Sequence, residues 1–157
     1  GLVQYRSIAE DASGALWLAT SSRGVHRFDP HTSTFRVFEA ELRAALPPGH
    51  NRVNSVHVDR AGTVWAATFR GLGKLDPRDA TFTSYDSRSG LPADTVVGIL
   101  EEDDGRLWIS TPNGLSRFDP YAETFANYHA SDGLWGASWS LLGSPVLRCE
   151  RIPIEAS

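Results

Sequence analysis

The chain has 157 residues, 41% hydrophobic and 22% charged, with 14 Gly and 9 Pro, which is one globular unit's worth of core-forming material rather than a disordered chain. Fifteen Lys and Arg against nineteen Asp and Glu leave a net charge of −4, which argues against the broad phosphate-binding surface that a nucleic-acid partner requires. No apolar run approaches the roughly 20 residues of a membrane helix, and the one cysteine, Cys149, excludes an internal disulfide and a thiolate zinc site.

Three units follow one another along the chain. The first carries Ile8, Asp11, Gly14, Trp17, Thr20, Gly24, Asp29, Pro30, Thr34 and Phe35. The second places Val56, Asp59, Gly62, Trp65, Thr68, Gly71, Asp76, Pro77, Thr81 and Phe82 at nearly the same spacing, and the third has Ile99, Glu102, Gly105, Trp108, Thr111, Gly114, Asp119, Pro120, Thr124 and Phe125. The tryptophans are 48 and 43 residues apart. The difference is one residue near Ser21 and Ser22 plus four in the segment ending at Arg52, insertions expected to lie in loops.

Each unit reads as four short strands. In the third, Val96 to Glu102 is apolar and β-branched, and Asp103, Asp104 and Gly105 turn the chain into Leu107 to Thr111. Pro112, Asn113 and Gly114 form the next turn, Leu115 to Phe118 follows, and Asp119-Pro120 breaks the chain before Phe125 to Tyr128. Such a unit is a meander with no room for a helix. A repeat of this length with a fixed aromatic and a fixed glycine is the pattern of β-propeller blades. The fold class is therefore all-β, with about three to three and a half four-stranded antiparallel blades of an incomplete propeller. The blades span about 5–38, 53–85 and 96–128 within a propeller part at 1–134, and 135–157 is a divergent tail. Trp17, Trp65 and Trp108 are expected at equivalent positions between blades, where each removes a large apolar area from water. Three blades cannot close a ring, so the outer faces of the first and last need covering by further blades of a longer chain or by a second copy.

The strings Leu16-Trp17-Leu18-Ala19-Thr20, Gly114-Leu115 with Arg117-Phe118-Asp119-Pro120, and Gly90-Leu91-Pro92 ahead of the next strand resemble the two-component regulator propeller repeat. That family builds the sensor regions of bacterial hybrid histidine kinases and related signalling proteins. The resemblance implies many copies forming one or two seven-bladed propellers on the periplasmic side, followed by a small β-sandwich, a membrane helix and a cytoplasmic output domain. By it, the chain is a periplasmic sensor module without membrane contact of its own. Two departures stand out: Glu102 replaces the turn aspartate, and Arg151 occupies the position where a fourth blade's tryptophan would fall.

Other constellations carry little chemistry. The acidic run Glu101 to Asp104 lacks the alternating ligands of a calcium loop and reads as a solvated turn. His26, His31, His50, His57 and His129 have no zinc-ligand spacing, and neither a nucleophile elbow nor a phosphate loop is present. No catalytic residue, metal site or cofactor is assigned, and the chain itself is read as a non-enzyme. Trp135 and Trp139 stand outside the repeat register, and nothing marks Cys149 as reactive.

Because strands alternate in direction, the turn between the second and third strands shares one end of the propeller with the connections between blades. That end varies between units while staying polar. Arg23, Arg70 and Asn113 precede the turn glycines there, and the connections carry His50, Asn51, Arg52, Asp94 and Thr95. Arg23, Arg70, Asn113, Asn51, Arg52 and Asp94 are the candidate ligand-binding residues, since arginine forks suit carboxylate, sulfate or phosphate groups. A saccharide or other polar ligand is what the resemblance implies. A propeller lyase similar to streptogramin lyases, and an interaction scaffold without a small-molecule ligand, are the alternatives.

Overall fold

The computed structural model describes residues 2–45 and 51–132; Trp135, Trp139, Cys149, His50 and the tail reading lie outside the described residues. Three four-stranded antiparallel sheets follow in sequence. The first blade holds β1 (Tyr5–Glu10), β2 (Leu16–Thr20), β3 (Val25–Asp29) and β4 (Thr34–Val37). The second holds β5 (Val53–Val58), β6 (Val64–Thr68), β7 (Gly71–Asp76) and β8 (Thr81–Tyr85), and the third holds β9 (Gly98–Glu101), β10 (Leu107–Thr111), β11 (Gly114–Asp119) and β12 (Thr124–Tyr128). Every strand pairs with its chain neighbour, as expected where short polar turns join alternating segments.

One expectation is corrected. The insertion ahead of Arg52 contributes a helix, α1 (Glu39–Ala45), between β4 and β5, rather than a plain loop. Its sequence, EAELRAA, consists of strong helix formers. Glu39 and Glu41 sit in its first turn and Arg43 in its last, complementing the helix dipole, and Arg43 pairs with Glu39 one turn away at 2.6 Å. Leu42 is fully buried beside Phe38 in the seam between the first two blades.

Alternation along the strands splits each blade into two apolar faces. The tryptophan face of one blade packs on the opposite face of the next. Trp17 and Phe38, with ring centroids 5.3 Å apart, meet Val56, Val64, Ala66 and Leu75 of the second blade. Trp65 and Tyr85 meet Leu107, Ile109 and Phe118 of the third, where Trp65 stands edge-on to Phe118 at 5.7 Å and Phe118 stacks on Phe125 at 4.4 Å. Trp108 holds the equivalent place on the third blade but is only half-buried, beside Tyr128 at 5.4 Å, because no blade follows it among the described residues. The outer face of the first blade is likewise open, with Ile8, Phe35 and Tyr5 all more than half exposed.

The repeated acid six residues before each tryptophan has a definite task, against its reading as a solvated turn residue. Asp11, Asp59 and Glu102 accept the indole N–H of Trp17, Trp65 and Trp108 at 2.9, 2.8 and 2.8 Å. The longer Glu102 reaches the same atom, which accounts for its tolerance in the third unit. Burial pushes the Asp11 carboxyl up, but hydrogen bonds from Ser13, the Trp17 indole and the Ala15 amide overcome it and hold the group at about 2.

Two predictions follow from this packing. Replacing Trp65 by Ala costs about 3–5 kcal/mol in urea unfolding, and Trp108→Ala costs visibly less, since a half-buried ring leaves a smaller cavity. A carboxylate depressed on folding contributes stability that is complete above its unfolded value near 4 and is lost as pH falls toward 2. Thermal melts between pH 4 and 2 therefore fall less steeply in Asp11→Asn than in the parent chain.

Candidate functional site

The turns between the second and third strands of each blade are held by one recurring device. The hydroxyls of Thr20, Thr68 and Thr111 donate to the carbonyls of Gly24, Gly71 and Gly114 at 2.8, 2.8 and 3.0 Å. The same oxygens accept the amides of Arg23, Arg70 and Asn113. At Gly71 and Gly114 (φ 131° each) an added Cβ would lie 2.3 Å from the Tyr85 carbonyl oxygen and 2.2 Å from that of Tyr128, so backbone contact excludes any side chain. The first turn is one residue longer, and Gly24 meets Leu42 at 3.2 Å and backbone atoms of α1 and Phe38 at 3.3 Å instead.

Each turn then meets residues of the connections that enter or leave its blade, giving three groups of contacts at one end. In the first, the Gly24 amide donates to the Asn51 carbonyl at 2.9 Å, and the buried Asn51 side chain donates to Glu39 at 3.2 Å. Asn51 is thus committed to fastening α1, while Arg23 is exposed. In the second, the Arg52 guanidinium lies 4.6 Å over the Phe69 ring, Arg70 approaches Asp94 at 3.9 Å, and the Thr95 hydroxyl donates to the Phe69 carbonyl at 3.4 Å. Hydrogen bonding from Ser87, with Arg70 nearby, holds the Asp94 carboxyl below the usual carboxylate range. In the third, Asn113 donates to the Pro92 carbonyl at 3.3 Å and its own carbonyl lies 2.9 Å from His129 Nδ1.

The structure places Arg52 on Phe69 and Arg70 beside Asp94 around one turn, sets Arg23 with Asn51 in a separate cluster, and ties Asn113 to Pro92 of the connection that carries Asp94. Phe69 was missed by sequence reasoning. The signal was present, since a large aromatic directly before Arg70 in a two-residue turn has no core to enter. The Arg70 and Asp94 side chains are 47% and 41% exposed, enough to exchange their mutual contact for a ligand. An aromatic face, two guanidinium groups and a carboxylate in one cluster offer apolar contact beside both donors and acceptors.

The acidic run at the opposite end is a solvated turn, as expected, with Asp103 and Asp104 exposed, and its side chains also form ion pairs. Glu101 meets His57 at 3.2 Å and Asp103 meets Arg60 at 3.0 Å across the second seam, while Asp104 holds Arg106 at 2.6 Å within its own blade. No group of three His, Cys, Asp or Glu placed to hold a metal ion occurs among the described residues, and none of the described helices is long and apolar enough to cross a membrane.

Blades of four antiparallel strands, each stacking its tryptophan face onto the opposite apolar face of the next, define a β-propeller segment. Residues 90–113, from the second connection to the β10–β11 turn, match the two component regulator propeller family. It superposes on the extracellular domain of a protein described as a hybrid two component system, BT3049 of B. thetaiotaomicron, with a TM-score of 0.70 and 28% identity over 83% of this chain and 17% of that one. The extracellular domain of a B. thetaiotaomicron one component system, BT4673, gives 0.66 and 22% over 80% and 18%. Virginiamycin B lyase of Staphylococcus aureus gives 0.65 and 15% over 80% and 41%, a likeness of fold. The chain thus spans less than a fifth of the two regulator domains. No curated protein matches the sequence.

The turn geometry yields a prediction. Gly71→Ala forces a backbone displacement and lowers the melting temperature markedly more than Gly24→Ala, whose nearest neighbour is a flexible leucine end.

Proposed function

We propose that the chain is part of an extracytoplasmic sensor propeller in a bacterial two component signalling protein, and that it binds a polar, saccharide-like ligand without transforming it. The observation that carries this reading is the cluster of Arg52 over Phe69 with Arg70 and Asp94 beside it, at the end where blade connections and turns meet. A sugar presents apolar C–H faces and a rim of hydroxyls, and this cluster offers a ring for the first and charged hydrogen-bonding groups for the second. The extracellular setting is supported by the 28% identity to the BT3049 extracellular domain. The likeness to a lyase is of fold at 15% identity and favours no catalytic role.

Calorimetric titration of the chain against a panel of neutral and acidic saccharides tests the proposal. Arg70→Ala and Phe69→Ala are expected to weaken saccharide binding about tenfold or more, roughly 1.4 kcal/mol, with Arg70→Ala shifting the melting temperature little, because an exposed loop side chain contributes little to folding. Absence of binding across the panel, or losses of stability that parallel the losses of affinity, overturns it.

A further inference from the structure

At the end of the strands opposite the polar turns, the second seam opens into a cavity of about 280 Å³. Trp65 and Lys74 of the second blade line one side together with the turn at Asp59 and Arg60, and the Gly105 turn and Tyr121 of the third blade line the other. The Tyr121 ring is 84% exposed and lies against Gly105, 3.7 Å from where a Cβ would stand, so it forms an aromatic rim. The volume is close to the lower bound of small-molecule pockets.

A cation stands opposite the tryptophan on the third strand of every blade: Arg27 against Trp17, Lys74 against Trp65 and Arg117 against Trp108. The three lie 5.8, 5.8 and 5.9 Å from the ring centroids. Both arginines also reach the turn acid of their own blade, Arg27 approaching Asp11 at 3.6 Å and Arg117 donating to Glu102 through Nε at 2.7 Å. The shorter Lys74 does not reach Asp59. Apart from the Trp65 ring it has no hydrogen bond or ion pair among the described residues. The carboxylates around it are already committed. Asp59 accepts the Thr63 amide and the Trp65 indole, both at 2.8 Å. Glu101 holds His57 and the Arg60 amide, Asp103 holds the Arg60 guanidinium, and Asp104 holds Arg106. The partly buried Lys74 ammonium is thus the charge in this cavity that lacks a counter-charge among the described residues.

We propose that the cavity binds a small monocarboxylate, whose charged group meets the Lys74 ammonium and whose body rests against Tyr121. One ammonium matches one negative charge, while the surrounding acids oppose a dianion such as phosphate. This site lies at the other end of the strands from the proposed saccharide cluster and does not depend on it.

Sodium acetate and sodium benzoate are the probes, with benzyl alcohol as the uncharged counterpart and inorganic phosphate as the dianion. In NMR titrations of the full chain, both carboxylates are expected to shift the Trp65 indole and Gly105 amide resonances saturably and to leave the Trp17 indole in place. Benzyl alcohol and phosphate are expected to act about tenfold more weakly or not at all. Lys74→Gln is expected to weaken carboxylate binding about tenfold or more. Lys74→Arg keeps the charge yet is expected to lose binding to a similar degree, because a guanidinium there reaches Asp59 as its counterparts reach Asp11 and Glu102. Tyr121→Ser, at an exposed position, is expected to weaken benzoate severalfold. Absence of a saturable shift with both carboxylates, an equal response to phosphate or benzyl alcohol, or undiminished binding in either Lys74 variant overturns the proposal. Should the Lys74 variants fail to fold, undiminished benzoate binding in Tyr121→Ser does so.

Discussion

The tryptophans of the first two repeats are each fixed at two points, and the architecture depends on both. Each ring leaves water by lying in the seam between blades, and each N–H finds a carboxylate at the turn ahead of its own strand. A buried indole without an acceptor would lose much of what its ring contributes. The acid therefore does more than shape the turn, because it lets the largest side chain of each blade be entirely apolar toward its neighbour. The strands supply the platform, but the seam gives each blade most of its buried surface, since a lone four-stranded sheet covers neither of its faces.

Seams of this kind are directional. The tryptophan face and the opposite apolar face of a blade differ, so blades stack head to tail like the units of a solenoid rather than face to face as in a two-fold dimer. The apolar centres of the two seams are similar, and individual character resides at the rims, where Ala9 and Val58 give way to His57 and Glu101. Such rims cost little when matched and a good deal when a carboxylate is left dry.

The four-strand unit was legible because turn residues and a single aromatic recur at fixed spacing, and the strands fall where those turns allow. The ten aligned positions also contained the threonine that fastens each polar turn, although its bond to the glycine carbonyl is a matter of geometry that spacing alone does not reveal. The left-handed residues Ser33, Ala80 and Glu123 (φ 55°, 59° and 54°) could not be read, for no glycine marks them. Their conformation is imposed by the Asp-Pro turns, whose aspartates accept amides two and three residues on. Nor was the helix legible, because seven helix-forming residues in a long connection read equally as loop, and burial of Leu42 decided the matter. Among the polar residues, sequence identified the right end of the fold but could not tell Asn51, consumed in holding α1, from Arg70 and Asp94, which stay at the surface.

That helix has an effect on symmetry. Three units of nearly identical strand framework would otherwise present three nearly identical loops at the connection end, and anything lying across them could do so in several equivalent registers. With α1 fastened against Gly24 on one side and to β8 through Ser84, whose hydroxyl donates to the Ala45 carbonyl at 3.2 Å, the first connection carries a packed helix, while the second, beside the Phe69 and Arg70 turn, carries none. The repeat framework is thereby given a left and a right, and a molecule resting on that end has one way round to lie.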